Sequence, residues 1–140
     1  MTMKQPIILI AIFALTIVGC KPPSNSHDEP QSITSTGTFT VFGGQMSVTV
    51  VETQDDRINY TVTRGTRTAA PTDPLIRKGS PWLIYAASPD AVWMHDGETN
   101  VLLIEFSDEG SKFTSIGVVP DLLQRAPTAF LDRLPSHMKK

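Results

Sequence analysis

The sequence predicts a mainly β fold: an antiparallel meander of about seven short strands, forming an open sheet or a small barrel, with a short C-terminal helix. Three observations support this prediction. Apolar and β-branched residues recur in runs of five to eight residues, several of them with strict alternation. Gly-Gly, Asp-Gly and similar turn signals separate the runs. The pattern changes to a helical period only after Pro120.

The first three strands are predicted at residues 38–42, 45–52 and 57–63. In the second run, Met46, Val48 and Val50 fall on one face and small polar residues fall on the other. Gly43-Gly44 separates the first two runs and indicates a hairpin, because both turn positions of a tight hairpin need positive φ.

The second half of the chain repeats this organisation, with strands predicted at residues 82–87, 91–95, 101–106 and 112–119. The runs WLIYAA and VLLIEF are almost continuously apolar, which is typical of strands buried on both faces. Asp96-Gly97 separates two of the runs and predicts a second hairpin of the same kind as the first.

The C-terminal residues predict short helices. Pro120 and Pro127 each suit the first turn of a helix. Residues 121–125 are long enough for little more than one turn, and residues 128–134 place Phe130, Leu131 and Leu134 on one face. We expect these turns to form a short lid across an open sheet face or a barrel end.

The N-terminus has the features of an export signal. Lys4 precedes a run at residues 6–18 that is apolar apart from one threonine, and this run is shorter than the roughly 20 residues that span a bilayer. It ends in Ile17-Val18-Gly19-Cys20, and Cys20 is the only cysteine of the chain. This ending resembles the lipobox of bacterial lipoproteins.

That resemblance implies that Cys20 is alkylated with a diacylglyceryl group, that the signal is cut just before it, and that the new amino terminus is often acylated. Two acyl chains give stable membrane anchoring, at about 0.8 kcal/mol per buried CH₂ group. The residue after Cys20 is Lys21, and not the aspartate that resembles an inner-membrane retention signal in enteric bacteria. By that analogy the outer membrane, facing the periplasm, is favoured over the inner membrane.

The sequence divides into three parts. By the lipobox resemblance and the composition, we expect residues 1–19 to be a lipoprotein signal peptide, residues 20–36 the lipidated cysteine with a flexible tether, and residues 37–140 a β-rich globular domain. The tether is rich in Pro, Ser and Thr and almost lacks apolar residues. A net charge of −2 is too small to indicate nucleic acid as a partner.

No catalytic set or metal site is predicted, and no cofactor. His95-Asp96-Gly97-Glu98 lacks the alternating carboxylates of a calcium loop, so we expect a turn whose charges face water. Ser80 and Ser115 lack the motif of a nucleophile elbow. A glycosidase pair of Glu52 and Glu105 would need the fold to bring them together. The larger aromatic side chains of the strand runs are predicted to pack in the core rather than to form a ligand platform: Trp82, Tyr85 and Trp93.

Residues 64–81 are the candidate binding surface, because they form 18 residues without a clear secondary-structure element. This segment carries four cations against the single acidic residue Asp73: Arg64, Arg67, Arg77 and Lys78. Near a membrane, such a loop suits anionic lipid, an acidic envelope protein or a glycan. The alternative interpretation is a solvated connector between two groups of hairpins.

The function that these features favour is a lipid-anchored binding or support module of the cell envelope, rather than an enzyme. Two alternatives stay open. One is a small periplasmic hydrolase whose residues converge only in the fold. The other is an inhibitor of a periplasmic or extracellular enzyme, with its contact on the Asp96-Gly97 hairpin.

Overall fold

The computed structural model describes residues 29–71, 76–117 and 120–139, and there the chain forms two antiparallel sheets and a helical C-terminal layer. The ten strands follow in chain order: β1 Gln31–Ile33, β2 Gly37–Val41, β3 Met46–Glu52, β4 Arg57–Arg64, β5 Arg67–Ala69, β6 Ile76–Arg77, β7 Leu83–Ser88, β8 Ala91–His95, β9 Asn100–Ser107 and β10 Gly110–Gly117.

The two sheets are open. The central sheet has the order β1-β7-β8-β9-β10, and the outer sheet has the order β2-β3-β4-β5 with β6 also paired to β4. Strands β2 to β5 and strands β7 to β10 each pair antiparallel in sequence order, as in a meander, whereas β1 pairs with β7 and β6 with β4. The predicted fold class is therefore confirmed in its open form, since neither sheet closes on itself within the described residues.

All seven predicted strands are present, and their ends differ from the predicted ends by only a few residues. Residues 118–119 of the last predicted run lie outside the described residues. Three short strands were not predicted: β1, β5 and β6. Each has only two or three residues, which is too short to show a period.

The central sheet is the middle layer of three. Its inner face packs against the outer sheet in one apolar core, to which both sheets contribute. Its other face packs against the C-terminal helices in a second core, which includes Tyr85, Trp93 and Leu103. Burial on both faces explains why the runs around β7 and β9 are continuously apolar instead of alternating.

The C-terminal layer consists of α1 Pro120–Arg125, α2 Thr128–Leu131 and a 3₁₀ turn at Ser136–Met138. Phe130 is fully buried, and its ring lies 5.6 Å from that of Trp93 and 6.3 Å from that of Tyr85. The predicted lid is thus present on an open sheet face. Trp82, Tyr85 and Trp93 are all buried, as expected of core residues. None of the described helices is long and apolar enough to cross a membrane.

The Gly43-Gly44 hairpin is confirmed, with one difference. Both glycines have positive φ, at 61° and 91°. Phe42, predicted as the end of a strand, has a φ of 52° and belongs to the 3₁₀ turn Phe42–Gly44. Its side chain is buried in the core between the sheets, so that packing holds a non-glycine residue in the left-handed region.

β1 lies before residue 37, within the residues that the sequence assigned to the tether. Gln31–Ile33 pairs antiparallel with β7, and Ile33 is 1% exposed in the core between the sheets. One buried isoleucine and a ladder against an existing edge are enough to order this segment despite its polar composition. Cys20, the predicted signal peptide and residues 21–28 of the predicted tether lie outside the described residues.

Candidate functional site

The basic segment of residues 64–81, which the sequence predicted to have no clear element, contains two short edge strands, β5 and β6. β5 pairs with one end of β4 and β6 with the other end, both antiparallel to it. The register places Ala69 opposite Val62 and Ile76 opposite Ile58. Edge strands carry fewer apolar residues than central ones, and this edge is also interrupted, so its period is not visible in the sequence.

The four candidate cations fall into two pairs at opposite ends of β4. Arg67 lies opposite Arg64, whereas Arg77 lies opposite Arg57 and is followed by Lys78. Seven residues of strand separate the two ends, or about 23 Å at about 3.3 Å per residue. The structure therefore brings Arg64 near Arg67 and places Arg77 beside Lys78, but it does not form one continuous basic surface from all four.

Each of these cations has a partner outside the basic segment. Arg64 pairs with Asp90 at 2.6 Å, Arg77 with Glu98 at 3.6 Å and Lys78 with Glu52 at 2.5 Å.

Arg67 donates to the carbonyl of Asp108. Asp90, Glu98 and Asp108 all lie in turns of the central sheet. Three of the four cations thus link the two sheets. The sequence alone does not show these links, because the partners lie far apart along the chain.

A polar groove lies at the β6 end, with a volume of about 970 Å³. Its lining includes charges of both signs. The lining residues come from the turn before β4 and the start of β4, from β6 and the segment that follows it, and from the β8–β9 turn: Asp55, Asp56, Arg57, Arg77, Lys78, Gly79, Ser80, Pro81 and Glu98. A smaller cleft of about 370 Å³, lined in part by Arg64 and Arg67, lies at the opposite end of β4.

A second cleft, the His95 cleft, adjoins the polar groove and has a volume of about 430 Å³. It shares Lys78, Ser80 and Pro81 with the groove. The remaining lining residues come from the β1–β2 connection, from β7 and β8, and from the C-terminal layer: Thr34, Trp82, Leu83, His95 and Arg133.

His95 is the buried polar group of this cleft, with 1% of its surface exposed. Its Nδ1 accepts the backbone N–H of Gly97 at 3.1 Å, and its ring lies 5.8 Å from that of Phe130. Its Nε2 has no hydrogen-bond partner of normal geometry among the described residues. Burial lowers the pKa of His95, and the nearby Asp96 and the carbonyl of Arg133 oppose that shift only in part.

The sequence predicted that the charge of Asp96 faces water. The residue is instead buried and only 3% exposed. Its Oδ1 accepts the backbone N–H groups of Glu98, Thr99 and Asn100, and its Oδ2 accepts the side-chain amide of Asn100. Burial acts to raise the pKa of Asp96, but these four donors outweigh it and the pKa is lowered. The carboxylate organises the turn from inside, whereas Glu98 in the same turn is exposed.

Ser80, His95 and Asp96 come together here but are not arranged as a catalytic triad. Ser80 Oγ lies 2.8 Å from the carbonyl of Arg77 and 2.6 Å from that of Asp96, and it donates to these backbone oxygens. His95 Nδ1 accepts a backbone N–H, whereas in a triad it donates to a carboxylate. All three side chains therefore stabilise the turn and the segment that packs on it.

Glu52 and Glu105, considered from the sequence as a glycosidase pair, lie on different sheets. Glu52 pairs with Lys78 on the outer sheet, and Glu105 on the central sheet pairs with Arg125 at 2.7 Å. The side chain of Ser115 lies outside the described part of the chain. Within that part, no group of three or more His, Cys, Asp or Glu side chains is placed to hold a metal ion.

Sequence reasoning missed the residues that complete the His95 cleft. Thr34 lay in the predicted tether and Arg133 in the predicted lid, about 100 residues apart in the sequence. The available signal was the pair His95-Asp96 directly after an apolar strand, which placed titratable groups at the end of a buried element. No family model matches the chain, and neither does any curated protein or solved structure.

Proposed function

We propose that this protein is a lipid-anchored binding module of the bacterial cell envelope, and that it binds its partner at the β6 end. The observation that carries the proposal is the continuity of the polar groove and the His95 cleft. Together they form one concave region around Lys78, Ser80 and Pro81, with charged, hydroxyl and apolar groups on its walls. Concave regions with a few converging polar groups are the usual sites of ligand binding.

The charges of the groove favour a protein or glycan partner over a bare anionic lipid surface. Three cations and three carboxylates line it, so the net attraction for a uniformly negative surface is small. A partner with donors and acceptors at fixed positions suits such a mixed lining better. Arg77 and Lys78 from the candidate binding surface belong to this region, whereas Arg64 and Arg67 do not.

Binding is better supported than hydrolysis. The two side chains that a hydrolase would need as nucleophile and base, Ser80 and His95, are held by backbone groups of the surrounding turns. A neutral imidazole whose Nδ1 accepts a hydrogen bond carries its proton on Nε2, so neither ring nitrogen of His95 is free to act as a base.

The anchor in this proposal rests on the lipobox-like residues Ile17 to Cys20. Replacing Cys20 by alanine is expected to abolish acylation and to stop processing at this site. Metabolic labelling with a fatty-acid analogue and intact mass of the purified protein measure both. A Cys20→Ala protein that is still cleaved and diacylated would contradict the anchor, whatever the domain binds.

Photo-crosslinking from Gly79 in intact cells tests the binding site. Gly79 lines the polar groove, and a Cβ added there meets no atom within 4 Å, so a photoreactive residue is tolerated. Thr66 is the matched control, because it is exposed and lines the cleft at the opposite end of β4. We expect one dominant protein or glycan adduct from position 79 and none from position 66.

Equal adducts from both positions, or lipid adducts alone, would contradict a specific site at the β6 end. Adducts from position 66 alone would move the site to Arg64 and Arg67. Mass spectrometry of the adducts identifies the partner in the expected case.

A further inference from the structure

The edge strand β2 lacks the features that keep the other sheet edges from pairing with a further strand. An exposed strand edge presents unpaired N–H and C=O groups, and natural proteins block such edges with charges, prolines, bulges or very short strands. β1, β5 and β6 have only two or three residues each, and β10 carries the exposed Lys112. β2 has five residues without charge or proline, its register with β3 is unbroken, and no described strand pairs with its outer edge.

The absence of charge extends well beyond β2. Residues 31–51 contain no Asp, Glu, Lys, Arg, His or Pro, and they include all of β1 and β2 and most of β3. Like charges that lie directly opposite each other weaken strand pairing. A second strand of the same sequence would therefore meet no repulsion at this edge.

The face of the outer sheet that points away from the core carries hydroxyl side chains in two rows across the strands, the hydroxyl rows. One row is Thr38, Thr49 and Thr61, and the other is Thr40, Ser47, Thr63 and Thr68. Within the rows, Thr38 bonds Thr49 and Thr63 bonds Thr68, each pair at 3.3 Å between hydroxyl oxygens. Such cross-strand pairs stabilise sheets. Both rows end at β2, where Thr38 and Thr40 are exposed.

The centre of β2 is complementary to itself, because Thr38-Phe39-Thr40 reads the same in both directions. When two copies of this strand pair antiparallel about Phe39, Thr38 of one copy faces Thr40 of the other. Each hydroxyl row of one copy then continues into the other hydroxyl row of the second copy, since residues two apart share a face. Self-complementarity of this kind is what a two-fold symmetric contact requires.

Phe39 is the apolar side chain that such a pairing would cover. It is only half-buried, and it packs at the β2 edge of the core between the sheets. In the antiparallel pair, the two Phe39 rings lie side by side on the inner face, and aromatic pairs across strands add to stability. We propose that two copies of this chain pair antiparallel through β2, with the two-fold axis at Phe39, and that their outer sheets join into one continuous sheet.

This inference goes beyond the proposed binding site and does not depend on it. β2 lies at the opposite edge of the outer sheet from β5 and β6. The β6 end of each copy, with its polar groove, therefore lies away from the two-fold axis. One short strand from each copy buries a small area, so we expect a weak dimer with a dissociation constant between micromolar and millimolar.

Sedimentation equilibrium of the full mature chain in detergent measures this self-association. We expect a dimer whose fraction rises with protein concentration and is substantial by about 1 mM. A two-fold contact closes on itself, so no larger species is expected. A chain that stays monomeric up to this concentration, or that forms open assemblies of many copies, overturns the proposal.

Two double variants test the antiparallel register. Thr38→Lys combined with Thr40→Lys places two like-charged pairs across the axis and is expected to weaken dimerisation roughly tenfold. Thr38→Lys combined with Thr40→Glu places opposite charges in the same two pairs, and it is expected to dimerise at least as tightly as the unaltered protein. Both threonines are exposed, so neither variant buries a charge in the monomer.

Thr68→Lys is the matched control, because Thr68 is an exposed threonine of the same hydroxyl rows at the opposite edge of the sheet. It is expected to leave dimerisation unchanged. Equal weakening by the two double variants would overturn the register about Phe39. An unchanged dimer in the variant with two lysines, or an equal loss in Thr68→Lys, would overturn the assignment of the contact to β2.

Discussion

Tyr60 carries its hydroxyl into the core between the two sheets. The residue is 1% exposed, and its Oη has no hydrogen-bond partner among the described residues. Burial raises the pKa of this phenol, because the charged form loses its solvation. A buried hydroxyl without a partner costs about 1–3 kcal/mol of stability.

Tyr60→Phe is therefore expected to raise the free energy of unfolding by about 1 kcal/mol. The change keeps the ring and removes only the unpaired hydroxyl. Urea denaturation of both proteins measures it, with Tyr85→Phe as the control for loss of a hydroxyl from the second core. A loss of stability in Tyr60→Phe would show instead that a bound water or another group satisfies the hydroxyl.

His95 gives the domain a pH dependence whose sign follows from its environment. Its pKa in the folded state is below the ordinary value of 6.5, chiefly because of burial. Between these two values the unfolded chain binds more protons than the folded one, so the free energy of unfolding falls as the pH drops below about 6.5. Asp96 also makes the free energy of unfolding fall with falling pH, but only below its ordinary pKa of 3.8.

Comparing unfolding at about pH 7.5 and about pH 5 tests this assignment. The unaltered protein is expected to lose stability at the lower pH, and His95→Asn to lose less of it. Asparagine keeps an acceptor near the place of Nδ1 for the N–H of Gly97 but does not titrate. The same loss in both proteins would assign the pH dependence to other groups.

At the scale of elements, the β8–β9 turn and the segment before β7 form the walls of the candidate site by direct backbone contact. A Cβ on Gly97 would lie 2.8–2.9 Å from backbone and ring atoms of Pro81, and Gly97 has a φ of 80°. The turn is thus pressed against Pro81, while Asp96 organises the turn from within and its carbonyl accepts the hydroxyl of Ser80. The shape of the site depends on this contact.

Gly97→Ala is expected to destabilise the domain by about 1–3 kcal/mol, from strain at positive φ and from the clash with Pro81. Gly79→Ala is the matched control, because its Cβ meets open space and its φ is outside the left-handed region. That control is expected to stay within about 1 kcal/mol of the unaltered protein. Equal effects of the two changes would show that the Pro81 contact is not restrictive.

The interrupted edge strand is the element that differs most from its prediction. β5 and β6 both pair with one edge of β4, and their cations Arg67 and Arg77 bond to residues in turns of the other sheet. A pairing of two or three residues is stable only because β4 already exists as a template. The sequence of such a segment shows charge and proline but no period.

For the whole molecule, the three layers depend on apolar packing more than on the ion pairs that join the sheets. The Arg64–Asp90 pair connects the sheets at 2.6 Å, but its side chains are 31% and 60% exposed. Exposed ion pairs of this kind contribute about 0.2–1 kcal/mol because solvent screens them. Residues such as Ile104, fully enclosed between the sheets, contribute more.

A double-mutant cycle of Arg64→Gln and Asp90→Asn is expected to give a coupling energy below about 1 kcal/mol. Ile104→Ala, measured beside it, is expected to cost about 2–5 kcal/mol. Chemical denaturation gives both values. A coupling energy as large as the isoleucine effect would show that the electrostatic links hold the sheets together.

The sequence determined the seven longer strands, the hairpins and the C-terminal lid. These depend on local properties: the two-residue period of Met46 to Val50, the positive φ of Gly43-Gly44, and the prolines that open the helices. The lipid anchor at Cys20 is likewise a prediction from local sequence. Burial of Tyr85 and Trp93 followed from their place in continuous apolar runs.

Only the tertiary structure decided how these elements combine. It split Arg64, Arg67, Arg77 and Lys78 into two distant pairs, recruited β1 from the predicted tether, buried Asp96 and assembled the His95 cleft. Each of these outcomes depends on contacts between residues that lie far apart in the sequence. Such contacts are set by how two sheets and a helical layer pack, and no short window of sequence contains that information.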